Sequence, residues 1–252
     1  MKYTNKKNLN PDELIYGVHT VSAFIKKNID CIKTIYLSSR STNFSKLDKD
    51  ISNFKNIIYL EKKELDKLTS NAVHQGIVAE IDFNFYKKED ELYLHLSQKK
   101  NAIFLILDSI KDPRNLGACL RNALAFNVDA VIVNKDGSAP INSHVLKSSV
   151  GAVLDLDIFQ VVNLNRVINK LQSNGFWIVG LDGNSETSIF DETFNDRTAF
   201  VMGSEGTGIR KLIKKNCDSL IKIPTNKSLE SLNISVASGI VLFEIHRRNL
   251  NI

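Results

Sequence analysis

AIFLILDSIKDPRNLGACLRNALAFNVDAVIV, residues 102–133, decides how the rest of the chain is read. Its first six residues are an unbroken apolar run, too short for an ordinary buried helix, and they read as a strand covered on both faces. A polar turn with Pro113 follows, after which Leu116, Leu120, Ala123 and Leu124 recur at helical spacing. That spacing predicts a helix over Leu116 to Phe126, entered at about Asn115. Those four residues would face the sheet, leaving Asn115, Arg121 and Asn122 on the other faces. AVIV at 130–133 returns to strand, and strand, helix, strand with continuous apolar strands is the unit of a parallel α/β sheet.

The pattern extends toward the C-terminus. FWIVGL at 176–181, AFVM at 199–202 and LIKI at 220–223 read as further buried strands, and Leu164 to Ser173 and Val236 to Arg247 as helices. Toward the N-terminus it stops. Residues 86–101 are charge-rich and read as a linker with room for a short helix. Before them lies a small α/β unit, residues 14–85. Its expected helices are Val21 to Lys27, Leu47 to Phe54 and Glu64 to Leu68, and its strands Ile32 to Leu37 and Ile57 to Leu60, with a closing strand at Gly76 to Ile81. Residues 1–13 are polar and lysine-rich and read as a flexible leader, not a secretory signal.

No run approaches the roughly 20 apolar residues of a membrane helix, so no membrane partner is expected. Cys31, Cys119 and Cys217 have no paired spacing, which argues against a disulfide framework and a zinc site and points to a cytoplasmic setting. His19, His74, His95, His144 and His246 show no ligand spacing either and are read as surface or capping groups, so no metal is expected. The net charge is +5 and unevenly placed: residues 1–88 carry 15 Lys/Arg against 10 Asp/Glu, and residues 102–252 carry 16 against 15. A basic first unit suits a phosphate-bearing partner, although lysine-rich faces also occur as plain solvated surface.

In an open parallel sheet, ligands lie beyond the carboxyl ends of the strands, and three polar segments directly follow strands. In residues 108–123 Asn115 could be a helix N-cap, and Arg121 could reach a phosphate or stand as an ordinary solvated arginine. In VMGSEGTGI, residues 201–209, glycines would let backbone approach a ligand around Glu205, or form a plain turn. The order is neither G-x-G-x-x-G nor a Walker A sequence, which weighs against nicotinamide cofactors and ATP. In IPTNKSLESLNISVASG, residues 223–239, Ser231 and Asn233 flank the entrance of the last helix, where both could serve as local hydrogen-bonding groups.

Together, D-P-x-N-x-G-x-x-x-R at 112–121, M-G-x-E-G-x-G at 202–208, I-P at 223–224 and S-L-N-x-S-V-A at 231–237 resemble the three motifs of the SpoU-class (TrmH-like) RNA 2'-O-ribose methyltransferases. IYGVHTVSAF at 15–24, VHQGIVAEI at 73–81 and KSSVGAV at 147–153 point within the class to enzymes of large-subunit rRNA guanosine. The likeness spans about residues 14–248. Departures are a longer polar leader before Asp12 and Arg114 at a tolerant position.

The resemblance implies a fold that periodicity cannot supply: a C-terminal SPOUT-type methyltransferase domain, residues 102–252, with a trefoil-knotted parallel sheet, preceded by an L30e-like RNA-binding domain. It implies S-adenosylmethionine as methyl donor, a 23S rRNA substrate and a homodimer with active sites beside the subunit interface. It matches Asn115, Arg121, Glu205, Ser231 and Asn233 to catalytic positions, and Gly203, Ile223 and Leu232 to positions whose backbone holds the cofactor's adenosine. Asn115 and Ser231 would orient the ribose, Asn233 brace the cofactor loop, and Glu205 hold its own loop or partner Arg121. An arginine is charged up to a pKa above about 12, so Arg121 is expected to stabilise an oxyanion or hold a phosphate rather than act as the base. A tRNA 2'-O-methyltransferase of the same class and a noncatalytic RNA-binding ribosome-assembly protein are the alternatives.

Overall fold

The computed structural model describes residues 13–39, 51, 54–98, 100–226 and 231–249. Residues 1–12, and with them nearly all of the expected leader, lie outside these, as does most of the helix expected at Leu47 to Phe54.

The first unit is a four-stranded sheet. Its elements are β1 (Leu14–Tyr16), α1 (Val18–Asn28), β2 (Ile32–Ser38), β3 (Ile57–Leu60), α2 (Lys62–Leu68) and β4 (Ile77–Ile81), with strand order β1-β4-β2-β3. The closing strand is therefore interior: Ala79 pairs with Ile15 on one side and Ile35 on the other. β1 escapes sequence reading because three residues carry no period. The HQG segment ties this unit together. His74, buried, accepts the Gly76 N–H at Nδ1 (3.0 Å) and meets Asp66 through Nε2 (2.9 Å), so it is a structural group rather than a surface one. Gln75 Oε1 accepts the Val18 N–H at 3.0 Å, fastening the start of α1 to the turn before β4.

The second unit comprises α3 (Glu89–Gln98), β5 (Ala102–Asp108), α4 (Pro113–Ala125), β6 (Ala130–Asn134), α5 (Ser143–Ser148), β7 (Ile158–Val161), α6 (Leu164–Ser173), β8 (Trp177–Leu181), β9 (Arg197–Gly203), α7 (Lys211–Lys215), β10 (Ser219–Ile221) and α8 (Ile234–Asn249). Its sheet is parallel throughout, in the order β10-β8-β9-β5-β6-β7. The chain runs one way from β5 through β6 to β7, and the remaining strands fall on β5's other side, so the switch point lies between β5 and β9. Asp108 and Gly203 pair at its carboxyl end. β7 (IFQV) is missing from the sequence reading because Gln160 interrupts its short apolar run.

The linker is packed, not free. Lys87 N–H donates to Ile158 O (2.8 Å) beside edge strand β7, and Leu92 of α3 is fully buried in the core on that side. Just before the linker, Phe83 and Phe85 stack edge-on with each other and with Phe24 of α1, fastening the end of the first unit to its own helix.

On α4, Leu116, Leu120 and Ala123 face the core as expected. Leu124 does not; it is 36% exposed, and Gly117 and Cys119 take part in the buried face instead. Gly117 lets α5 come close, since a Cβ there would stand 1.9 Å from Ser148 Oγ and 2.7 Å from Val145 O. α8 packs on α4 through Asn122, whose Nδ2 donates to Ser235 O (2.7 Å) and Ser238 Oγ (2.9 Å). The chain thus leaves edge strand β10 and returns to the helix that follows the central strand, the return path that a knotted C-terminus requires.

Candidate active site

The helix carrying the first motif begins earlier than its apolar spacing suggests. Pro113 occupies the first turn, where its fixed φ suits a helix and its missing N–H costs nothing, and Asp112 is the cap, accepting the Arg114 N–H at 2.7 Å. Asn115 is therefore not the N-cap. Its carboxamide is released from local duty and points to residues 90 and 118 positions away.

Those residues come from the other two motifs. Asn115 Nδ2 donates to Glu205 Oε1 at 2.7 Å, Asn233 Nδ2 donates to the same oxygen at 2.5 Å, and Asn233 Nδ2 also donates to Asn115 Oδ1 at 3.1 Å. The three side chains close a triangle in which one carboxyl oxygen of Glu205 accepts from two amide donors. Asn233 is anchored from behind: its Oδ1 accepts the N–H and hydroxyl of Ser235 at 2.9 and 2.5 Å. Because Asn122 holds Ser235 O, one chain of hydrogen bonds links α4 to the triangle through the entrance of α8. Sequence reading placed Asn122 only on an outer face of α4; its helical position showed no more than that.

The remaining expected residues stand apart. Arg121 is exposed on α4 and has no polar partner among the described residues, Glu205 included. Ser231 is likewise exposed and unbonded among them, two residues before Asn233. Ile223 and Leu232, both half-buried, bound the third segment with apolar side chains, chemistry that suits a purine. Beneath the triangle lies Cys119, whose thiol is pushed up to about 11 by burial, so it is a neutral core group.

Gly203 ends β9 for an internal reason. The loop after it folds back, with Gly208 N–H donating to Ser204 O (2.9 Å) and the Ser204 and Thr207 hydroxyls 2.6 Å apart. A Cβ on Gly203 would lie 2.0 Å from Gly208 C and 2.1 Å from Ile209 N. The glycine is needed by the loop's own backbone whatever ligand the loop meets. Gly203→Ala is accordingly expected to lower thermal stability by about 1–3 kcal/mol and to weaken cofactor binding with it; calorimetry and a melting curve on the same sample check both, and an unchanged melting curve would contradict the crowding.

Residues 102–243 match the SpoU rRNA methylase family, and residues 14–87 match the RNA 2'-O ribose methyltransferase substrate-binding family. The chain belongs to the SpoU rRNA methylase family. By that membership it is an RNA methyltransferase of the 2'-O-ribose type. Among its relatives, the 23S rRNA (guanosine-2'-O-)-methyltransferase RlmB of Vibrio parahaemolyticus is 39% identical over 244 residues, 95% of this chain and 98% of that protein. RlmB of Escherichia coli K12 is 37% identical over 239 residues, 94% of this chain and 98% of that protein. The SpoU methyltransferase AviRb from Streptomyces viridochromogenes, solved with AdoMet, superposes with a TM-score of 0.78 over 94% of this chain and 90% of its own, at 21% identity, a likeness of fold. No helix among the described residues is long and apolar enough to cross a membrane, and none of them form a cluster of three metal-ligating side chains.

Proposed function

We propose that this SpoU-family chain transfers the methyl group of S-adenosylmethionine to the ribose 2'-hydroxyl of a guanosine in 23S rRNA, in the cytoplasm. The observation that carries the reading is the Asn115–Glu205–Asn233 triangle, because it joins all three motif segments at the carboxyl end of β5 and β9 in a chain similar over nearly its whole length to rRNA guanosine methyltransferases. The glycine loop from Gly203, with Ile223 and Leu232, would hold the adenosine. The bound cofactor supplies an electrophilic methyl on its sulfonium.

The protein's own share is orientation and charge. Asn115 and Asn233 hold the Glu205 carboxylate and through it fix the three loops, while exposed Ser231 and Arg121 remain available to the ribose and its flanking phosphate. A ribose hydroxyl is a weak nucleophile near neutral pH, and the fixed positive charge of Arg121 would stabilise the oxyanion as it forms. Residues 14–85 serve as the L30e-like RNA-binding domain, their lysine excess meeting phosphate, and residues 86–101 as the linker.

The active unit is a homodimer. Val236, Ile240 and Phe243 form one exposed apolar stripe along α8, beginning three residues beyond Asn233. Phe126, just past α4, touches Phe243 edge-on, and Leu124 lies exposed one helical turn from Arg121. Contiguous apolar surface of this kind marks an interface, and a second copy seated on it would stand beside Arg121 and complete the site. Ile240→Glu is expected to yield a folded monomer with little turnover. Sedimentation and activity measured together check this, and a fully active monomer would exclude it.

Incubation with labelled S-adenosylmethionine and unmodified large-subunit rRNA should label one guanosine, located by primer extension at low nucleotide concentration. Labelling of tRNA alone would replace the substrate, and RNA binding without labelling would favour the noncatalytic alternative.

A further inference from the structure

Asp108 ends the central strand with its side chain 0% exposed, a costly place for a carboxylate unless donors surround it. Three do. Arg210 Nε donates to Oδ1 at 2.7 Å, the Arg210 backbone N–H donates to Oδ2 at 3.0 Å, and Ser109 Oγ donates to Oδ1 at 3.1 Å. Two of the three come from one residue, and that residue closes the segment opened by Gly203. Asp108 is also the ladder partner of Gly203. One strand-end residue therefore holds both feet of the loop: the first through the sheet, the second through its carboxylate. Between those feet the loop has its own Ser204–Gly208 and Ser204–Thr207 bonds and the buried Ile209, and it carries Glu205 out to Asn115 and Asn233.

From this geometry we infer that the Asp108–Arg210 pair is a positioning device for methyl transfer, setting loop 203–210 so that Glu205 meets Asn115 and Asn233. The inference rests on the triangle being the catalytic site. The pair is enclosed on one side only, with Asp108 buried and the Arg210 side chain 53% exposed, so it contributes little net stability and what it supplies is one fixed arrangement of the loop. The requirement here is positional, because a displaced loop would pull the carboxylate oxygen away from two amide donors at once. The sequence offered a signal that spacing alone did not raise: an acid placed directly at the end of an otherwise apolar strand.

The experiment is steady-state kinetics of the full-length protein with S-adenosylmethionine and unmodified large-subunit rRNA, beside circular dichroism at the assay temperature. Arg210→Ala should lower kcat on the order of 10- to 100-fold with the RNA KM moved by no more than about 3-fold, and Arg210→Lys, which restores a cation to Asp108, should recover most of the loss. Should Arg210→Ala not fold, Asp108→Asn takes its place. It leaves no buried charge unpaired and keeps an acceptor for Nε, but sets an amide against the Arg210 backbone N–H, so kcat should again fall. Unchanged kcat in a folded variant overturns the inference. So does a raised RNA KM at normal kcat with a salt slope lowered by about 1, the mark of a direct phosphate contact. Glu205→Ala run in parallel separates the two readings: if it retains full turnover the triangle itself is misassigned, whereas if it is inactive and Arg210→Ala is normal, only the positioning role fails.

Discussion

Arg121→Ala is expected to reduce turnover by on the order of 10²- to 10³-fold while leaving the melting curve in place. The side chain is exposed and makes no polar contact among the described residues. Truncating such a residue changes stability by about 0.5 kcal/mol or less. A large loss of activity would therefore come from the reaction, not the fold. A guanidinium contributes a positive charge and a planar set of donors. Arg121→Lys keeps the first and loses the second, and is expected to recover only part of the rate. Single-turnover measurements with saturating RNA distinguish the two duties proposed for the residue. A fall in rate at saturation marks oxyanion stabilisation, whereas a raised KM with a smaller salt slope marks a phosphate contact alone. Wild-type kinetics in the alanine variant would remove Arg121 from the site.

The strand-end positions of the candidate site were legible in the sequence; the bonds among Asn115, Glu205 and Asn233 were not. Asn115, Glu205 and Asn233 each follow a strand of one sheet, and strand ends are where such folds bind ligands. What spacing leaves open is whether each polar side chain serves its neighbours or distant partners. Asn115 shows why. Read from the apolar residues, its helix starts at Leu116 and an asparagine just before that is a natural cap; read from Pro113 and Asp112, the cap is already supplied and the asparagine is free. The apolar period locates the buried face of a helix, not its first turn, so the proline and aspartate were the better guides. The Asp108–Arg210 pair was harder still, because residues 102 apart are joined only once β5 and β9 are neighbours.

The fold was legible to the same extent and for related reasons. Long apolar strands such as β5, β6, β8 and β9 announce themselves, and so does α6, whose apolar residues Leu164, Val167, Ile168 and Leu171 are all buried. Short elements defined by their partners, such as β1 and β7, do not. Strand order lies beyond periodicity altogether: nothing in the run of residues places β9 between β5 and β8, or returns α8 to α4. The resemblance supplied a knotted parallel sheet without its order, and the structure supplies the order that puts all three motif segments at one edge.

Asn115→Ala is the second large effect expected, a fall in turnover of about 100-fold or more in a protein that remains folded. Asp112 caps the helix, so removing the carboxamide leaves the first turn of α4 intact. It also strips Glu205 of one of its two amide donors and Asn233 of one of its two acceptors, so the first motif segment loses both bonds that register it against the other two, which stay joined only through Asn233 and Glu205. Asn115→Asp sharpens the test because it is nearly isosteric. It would set a second carboxylate within about 3 Å of Glu205, where like charges repel at that separation even at an exposed site, and would drive the loop outward. The aspartate variant should therefore be at least as impaired as the alanine variant, although it preserves more of the side chain's volume. If volume alone mattered, the order would reverse, with the aspartate variant close to wild type and the alanine variant poor; that ranking, measured at saturating RNA and cofactor, would show that the triangle is packing and not chemistry.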